Sequence, residues 1–345
     1  MITDIESLYG KRIVLYGLGS YGVYAYNRIK ANPKIKIEFL VDDFKNGQFI
    51  DNKQIVSFDE VRSSSTSYDI IIITTSYYST ILEKLKKHNL KGDFFDVLRG
   101  PSEREITIFN FNNKEVNFFT PNLLTQLSVE NLNSTEPSTL KWIEGFKPNK
   151  CFFDIGASNG CYGLLASASK KIESYLIEPD NQNFNLISKN IKFNQSIFLG
   201  EILPMCLALD AENGSLTLNK LEDYEGAHSK VLEKYFRKDF EKIIFEGKQK
   251  VLTYSLDDLI LGHKLTNPNY IKIDVDGAEF SVIEGAKTTL NSDSLEEILI
   301  ETEEMNEMKL NQILLKFGFN LSEKHGINEI MGGKINGTYN YLFSK

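Results

Sequence analysis

Along the first hundred positions, short apolar runs alternate with amphipathic stretches. The runs "RIVLYG", "KIEFLVDD" and "YDIIIITTS" are separated by the segment Tyr21 to Lys30 and followed by Thr80 to His88. Such alternation predicts a parallel sheet with crossover helices. It lapses between 101 and 150, a stretch rich in Asn that carries Pro121, Pro137, Pro148 and the only tryptophan, Trp142. This reads as a connector and then a lead-in helix from about Thr139 to Phe146, opened after Pro137 with Ser138 near its N-cap. A second series starts at Cys151 with the strand patterns "CFFDIG", "SYLIEP", a region from Ile197 to Leu209, "YIKIDV", "EEILIET" and "TYNYLF". The expected fold is α/β with two Rossmann-like domains: a nucleotide-binding-type module over 1–100, a connector over 101–150 and a second domain over 151–345. Leu221 to Lys250, dense in charge and aromatics, falls outside the alternation as an insertion, either a solvated helix or a cap over a site.

Composition narrows the classes of partner. At 345 residues, with 41% hydrophobic and 25% charged residues, the chain can bury two ordinary cores. A formal charge of −8 disfavours a broad phosphate-backbone contact, so no nucleic-acid partner is expected. Cys151, Cys161 and Cys206 are odd in number and lack metal-like spacing; with no apolar leader before them, they read as thiols of a reduced, cytoplasmic protein. The longest apolar run is too short to span a bilayer, so no integral membrane segment is expected. A homo-oligomer is compatible with all of this.

Two glycine loops carry the candidate chemistry. Gly17, Gly19 and Gly22 follow a strand and open a helix, and Asp42 lies 20 residues further on at a strand end. Those are the conditions for a dinucleotide fingerprint. The segment is short for a complete dehydrogenase domain, and three readings stay open: a nucleotide or nucleotide-sugar site, a scaffold or dimerisation role, and an NAD(P)-dependent oxidoreductase. The second loop, Asp154 to Gly160, ends another strand. Gly156 and Gly160 let its backbone turn sharply against a ligand. Glu178 follows the next strand, 24 positions after Asp154, where a carboxylate can accept from both hydroxyls of a ribose. Asp180 reads as a helix N-cap. His228 and His263 are candidate substrate contacts only.

The motifs "DIGASNGCYGLL", "IEPDNQNF", "LALDAENGSLTL", "SLDDLI" and "IKIDVDGAEFSVIEGA", with the lead-in "STEPSTLKWIEGF", resemble in order and spacing those of FkbM-type methyltransferases. The resemblance covers roughly residues 120 to 345. It implies a class I methyltransferase fold with a seven-stranded sheet whose last strand is antiparallel, S-adenosylmethionine as cofactor, and O-methylation of a sugar hydroxyl in glycan or surface-polysaccharide biosynthesis, with a small-molecule or glycan acceptor. It places Asp154, Gly156, Ser158, Asn159 and Gly160 around the amino acid moiety, Glu178 on the ribose, and adenine near Ala208 and Leu209. The family loop has alanine-asparagine after its first glycine, where this chain has Ala157-Ser158-Asn159. The N-terminal segment is similar to small Rossmann-type modules on bacterial glycan-biosynthesis enzymes, for which a nucleotide or nucleotide-sugar ligand is implied. Methyl transfer needs a group to align the acceptor oxygen and take its proton. Asp274 is the first candidate and Glu279 the second. Asp276 to Glu279 also has the spacing of a capping box. Glu301 and Glu303 could join Asp274 around a divalent cation, though acids after a strand mostly solvate or cap.

Overall fold

The computed structural model describes residues 5–75, 77–90, 92–228, 230–235, 243–328 and 334–345. The first series of runs folds into a six-stranded sheet. Its spatial order is Phe49–Ile50, Lys53–Val56, Lys36–Val41, Arg12–Tyr16, Ile70–Ile73, Asp93–Asp96, and only the hairpin at the Phe49 edge is antiparallel. The central strand shows why its run is unbroken. Ile13 and Leu15 pack with Ala25, Tyr26 and Ile29 on one face, while Val14 and Tyr16 meet Phe58, Val61 and Leu85 on the other.

The second series forms a seven-stranded sheet in the order Ile202–Met205, Ile172–Ile177, Lys150–Ile155, Tyr270–Ile273, Glu297–Glu303, Lys334–Ser344, Asn320–Asn328. The last strand in sequence lies antiparallel between its neighbours, and the other pairs are parallel, as expected. Strand Asn320–Asn328 has no counterpart in the hydrophobic pattern: it sits at the edge and is mostly polar. Cys151, Phe153 and Ile155 point into one core with Ile271 and Ile273, and Phe152 points into the opposite one with Tyr270 and Leu299.

Between the sheets the chain is more structured than its composition suggested. A hairpin, Ile106–Phe111 with Lys114–Phe119, precedes helices Leu123–Glu130, Leu132–Thr135 and Pro137–Gly145. The lead-in helix begins with Pro137 as its first residue and Glu136 as N-cap, rather than at Ser138, because proline's missing N–H costs nothing there. Leu123, Leu124 and Leu127 join the first sheet's core; Leu132, Leu140 and Ile143 join the second's. The stretch Leu221 to Lys250 contains no α-helix among the described residues; 236–242 lies outside them. Lys230–Leu232 and Gly247–Tyr254 instead add to Ala208–Leu209 and Gly214–Lys220 in a four-stranded sheet, and Tyr224 and Ala227 plug into the first module's core. No helix among the described residues is long and apolar enough to cross a membrane.

Candidate functional site

The loop after strand Lys150–Ile155 is shaped by close approach. Gly156 has φ 84°, and a Cβ there would lie 1.8 Å from the carbonyl oxygen of Asp274. Only glycine lets the two strand ends meet so tightly. Gly160, at φ 82°, turns the chain into helix Cys161–Ser169. Between them Ser158 (φ 51°) aims its N–H at Glu178, 2.8 Å from Oε2, while the other oxygen of Glu178 accepts from Asp180 N at 2.8 Å. Burial pushes the Glu178 carboxyl up to about 7, against the pull of the Lys230 ammonium. Asp180 caps helix Asn181–Asn194 through Gln182 N and Asn183 N, as its position in the sequence suggests.

These elements enclose a cavity of about 450 Å³. Gly156, Ser158, Asn159, Glu178, Ala208, Leu209 and Asp274 all line it. Asp154 does not. Its side chain is fully buried on the Phe152 face of the strand, with Oδ2 accepting from Gly163 N at 3.2 Å and Oδ1 without a hydrogen-bond partner. In register beside it is Lys272, also buried. Burial pushes the Asp154 carboxyl up to about 6, with Lys272 opposing. Gly160 also stays behind the wall, and its role is conformational.

Sequence reasoning missed several contributors. Lys272 donates to Asp274 Oδ2 at 2.7 Å, and although burial works against its charge, Asp274, Glu136 and Asp154 together hold the ammonium above its ordinary value. A lysine between isoleucines on a central strand must be buried and must find carboxylates, a signal present in "YIKIDV". Glu136 lines the cavity from the residue before Pro137; one oxygen each of Glu136, Asp274 and Glu301 lie within 4.8 Å of one another. Burial, then repulsion from Asp274 and Glu136, raises the Glu301 carboxyl well above its ordinary value. Tyr162 and Tyr21 complete the lining, the latter reaching in from the first module. Lys272 already supplies positive charge beside the carboxylate cluster.

The capping box read at Asp276 is not formed. Helix Glu279–Glu284 has Ala278 as N-cap, Glu279 itself accepts from Gly277 N at 2.8 Å, and Asp276 is held at φ 45° facing Lys230 N at 3.5 Å. Burial raises the Glu279 carboxyl above its ordinary value. Glu279 and Glu303 line a second cavity of about 700 Å³, as do Gly17 and Asp42 of the first loop. Asp42 is heavily committed: Oδ2 accepts from Leu18 N at 2.8 Å, and Oδ1 from Phe44 N and Lys45 N at 3.0 and 3.2 Å. Gly22 serves packing, since a Cβ there would lie 1.9 Å from Gly17 O, and Gly19 faces open space.

Residues 154–321 match the family model described as the methyltransferase FkbM domain, and residues 9–93 match the model described as C2185-like, N-terminal. The chain carries an FkbM methyltransferase domain. Its relatives include the hexuronic acid methyltransferase AglP of Haloferax volcanii, 22% identical over 151 residues, or 44% of this chain and 55% of that protein. The chain thus spans about half the length of the curated relative it matches. Among solved structures, the methyltransferase FkbM of Methylobacillus flagellatus KT aligns over 100% of this chain and 93% of its own at 13% identity and TM-score 0.40. M. capricolum TrmK in complex with S-adenosylhomocysteine aligns over 59% and 66% at 11% identity and TM-score 0.35. The matched FkbM span includes Glu178, Asp274, Glu279 and Glu301. Glu136 and Tyr21 reach the cavity from outside it.

Proposed function

We propose that this protein transfers a methyl group from S-adenosylmethionine to a sugar hydroxyl in glycan assembly. The observation that carries the reading is that Asp274 borders both cavities, one suited to the cofactor and one open to an acceptor. The residues present fit the cofactor. A carboxylate offers about four acceptor positions, of which two on Glu178 are taken by backbone N–H groups, leaving two for the paired hydroxyls of a ribose. The buried Ser158 hydroxyl lacks a partner, and the Glu136 carboxylate suits a ligand with cationic centres. Ala208 and Leu209 offer an apolar wall for adenine. The hexuronic acid methyltransferase relative supports a sugar as acceptor.

The cofactor, when bound, supplies an electrophilic methyl group on a sulfonium sulfur. Asp274 would hold the acceptor hydroxyl and take its proton at Oδ1, while Lys272 fixes Oδ2. Holding both reactants across one carboxylate turns a bimolecular collision into a nearly unimolecular step. The test is calorimetric titration of the protein with S-adenosylmethionine and, separately, with reduced nicotinamide cofactors, followed by mass spectrometry of cellular glycans with and without the gene. Cofactor binding with loss of a methyl group from a glycan supports the reading; binding of nicotinamide alone overturns it.

A further inference from the structure

The cavity of about 700 Å³ is built jointly by the two modules: Gly17, Asp42, Phe44 and Tyr77 come from the first, and Asp276, Glu301 and Thr338 from the second. The carboxyl ends of the two sheets therefore face one another across it. Lys230, Asp274, Asp276 and Glu301 line both this cleft and the cofactor cavity, so the two spaces meet at one wall. The modules are held in this relation by a shared core through Tyr224 and Ala227 and by polar contacts: Arg99 to Glu246 at 2.5 Å, and Ile244 N to Thr80 Oγ1 at 3.1 Å.

We infer that this cleft is the acceptor site and that the first module supplies its outer wall, with a neutral or amine-bearing sugar unit as the occupant. The inference rests on the methyl-transfer reading above and deepens it. Three observations select the ligand. Phe44 is 98% exposed and Tyr77 44%, both at the cleft, offering flat apolar surfaces to the C–H faces of a pyranose ring. Seven carboxylates and two lysines are among the described lining residues, which suits hydroxyl or ammonium donors and repels phosphate or uronate. The first loop's amide of Leu18, and those of Phe44 and Lys45, are already occupied by Asp42, which stands where a phosphate oxygen would otherwise dock. The volume lies in the range of small-molecule sites.

The test uses the full chain with S-adenosylhomocysteine present and saturation-transfer difference NMR on four probes: methyl α-glucoside, methyl glucosaminide, glucuronate and uridine diphosphate. The expected result is saturation of the first two, falling about fivefold in Phe44→Ala, whose exposed ring is not needed for folding. Tyr77→Ala gives a second reading on the same wall. Stronger saturation of glucuronate or uridine diphosphate, no saturation of any sugar, or signals indifferent to both substitutions would overturn the assignment. Calorimetry with S-adenosylhomocysteine alone keeps the two ideas apart. Silence there with sugars still sensitive to Phe44→Ala sinks methyl transfer and leaves the cleft assignment standing; cofactor binding with insensitive sugars sinks the cleft.

Discussion

The chain contains two loops of the same design, and they end in different places. Each follows a central strand, turns on a glycine at positive φ, Gly17 at 95° and Gly156 at 84°, and leads into a helix. Each is braced by an acid from the next strand end that accepts loop N–H groups, Asp42 in one and Glu178 in the other. The difference lies in leftover capacity and enclosure. Asp42 spends three acceptor positions on Leu18, Phe44 and Lys45, and Lys45 Nζ closes over the loop by donating to Leu18 O at 2.7 Å. Glu178 spends two, sits buried, and opens on a walled cavity. A glycine loop with an acid at the right spacing is first a packing device. It becomes a ligand site when its polar groups are not all satisfied by the protein.

The sharpest way to break this comparison is at the wall between the cavities. Asp274→Asn should leave cofactor affinity intact and reduce turnover by roughly 10²–10⁴-fold, because the amide keeps size and hydrogen bonding but cannot take a proton. Steady-state kinetics beside calorimetry would show it, and wild-type turnover would remove Asp274 from the chemistry.

Next in size is the pair of glycines. Gly156→Ala places a methyl 1.8 Å from Asp274 O and forces an unfavourable φ, so thermal unfolding should show a loss of roughly 1–3 kcal/mol together with loss of cofactor binding. Gly17→Ala, whose Cβ would lie 3.0 Å from Thr75 Cβ, should cost comparable stability and leave cofactor affinity unchanged. If both variants lose the cofactor, the loops are not functionally distinct.

The acids separate by pH. Glu178 is pushed up to about 7 by burial, so its ionisation opposes folding: the stability it confers is complete below the ordinary carboxylate range and is lost as pH rises through about 7. A ribose donating to the ionised form works in the other direction, so cofactor affinity should rise between pH 6 and pH 8. Glu178→Gln should weaken binding roughly tenfold at pH 8 and flatten that rise, and it should also reduce the fall in melting temperature of the free protein. A pH profile unchanged in the variant would show that Glu178 does not contact the ligand.

The smallest effect is a control in the first module. Ser57 caps helix Phe58–Ser63 in a capping box with Glu60, so Ser57→Ala should cost about 1 kcal/mol in chemical denaturation and nothing in cofactor affinity.

Much of the second domain was legible because its strands are buried on both faces, so each appears as an apolar run ending in a polar loop. That reading located Glu178, Asp274 and the Gly156 turn. Asp154, picked out in the same way, has its side chain buried away from the cavity, since a carboxylate at a strand end looks the same in sequence whether it faces a cavity or, as here, lies beside a buried lysine on the neighbouring strand of the sheet. The polar edge strand Asn320–Asn328 escaped because an edge needs only one apolar face, and the paired strands of the insertion escaped because charge and aromatics there suggested solvent.

The sequence by itself determined the local facts: which runs become strands, where glycine permits a turn, and which acids end strands, since these follow from side-chain period and backbone sterics over a few residues. Only the tertiary structure decided which groups share a space. Glu136, Lys272, Asp274 and Glu301 come from three separate segments, and Phe44 and Asp276 face one cleft from opposite modules. Their chemistry depends on distance and burial through space, which no spacing along the chain encodes.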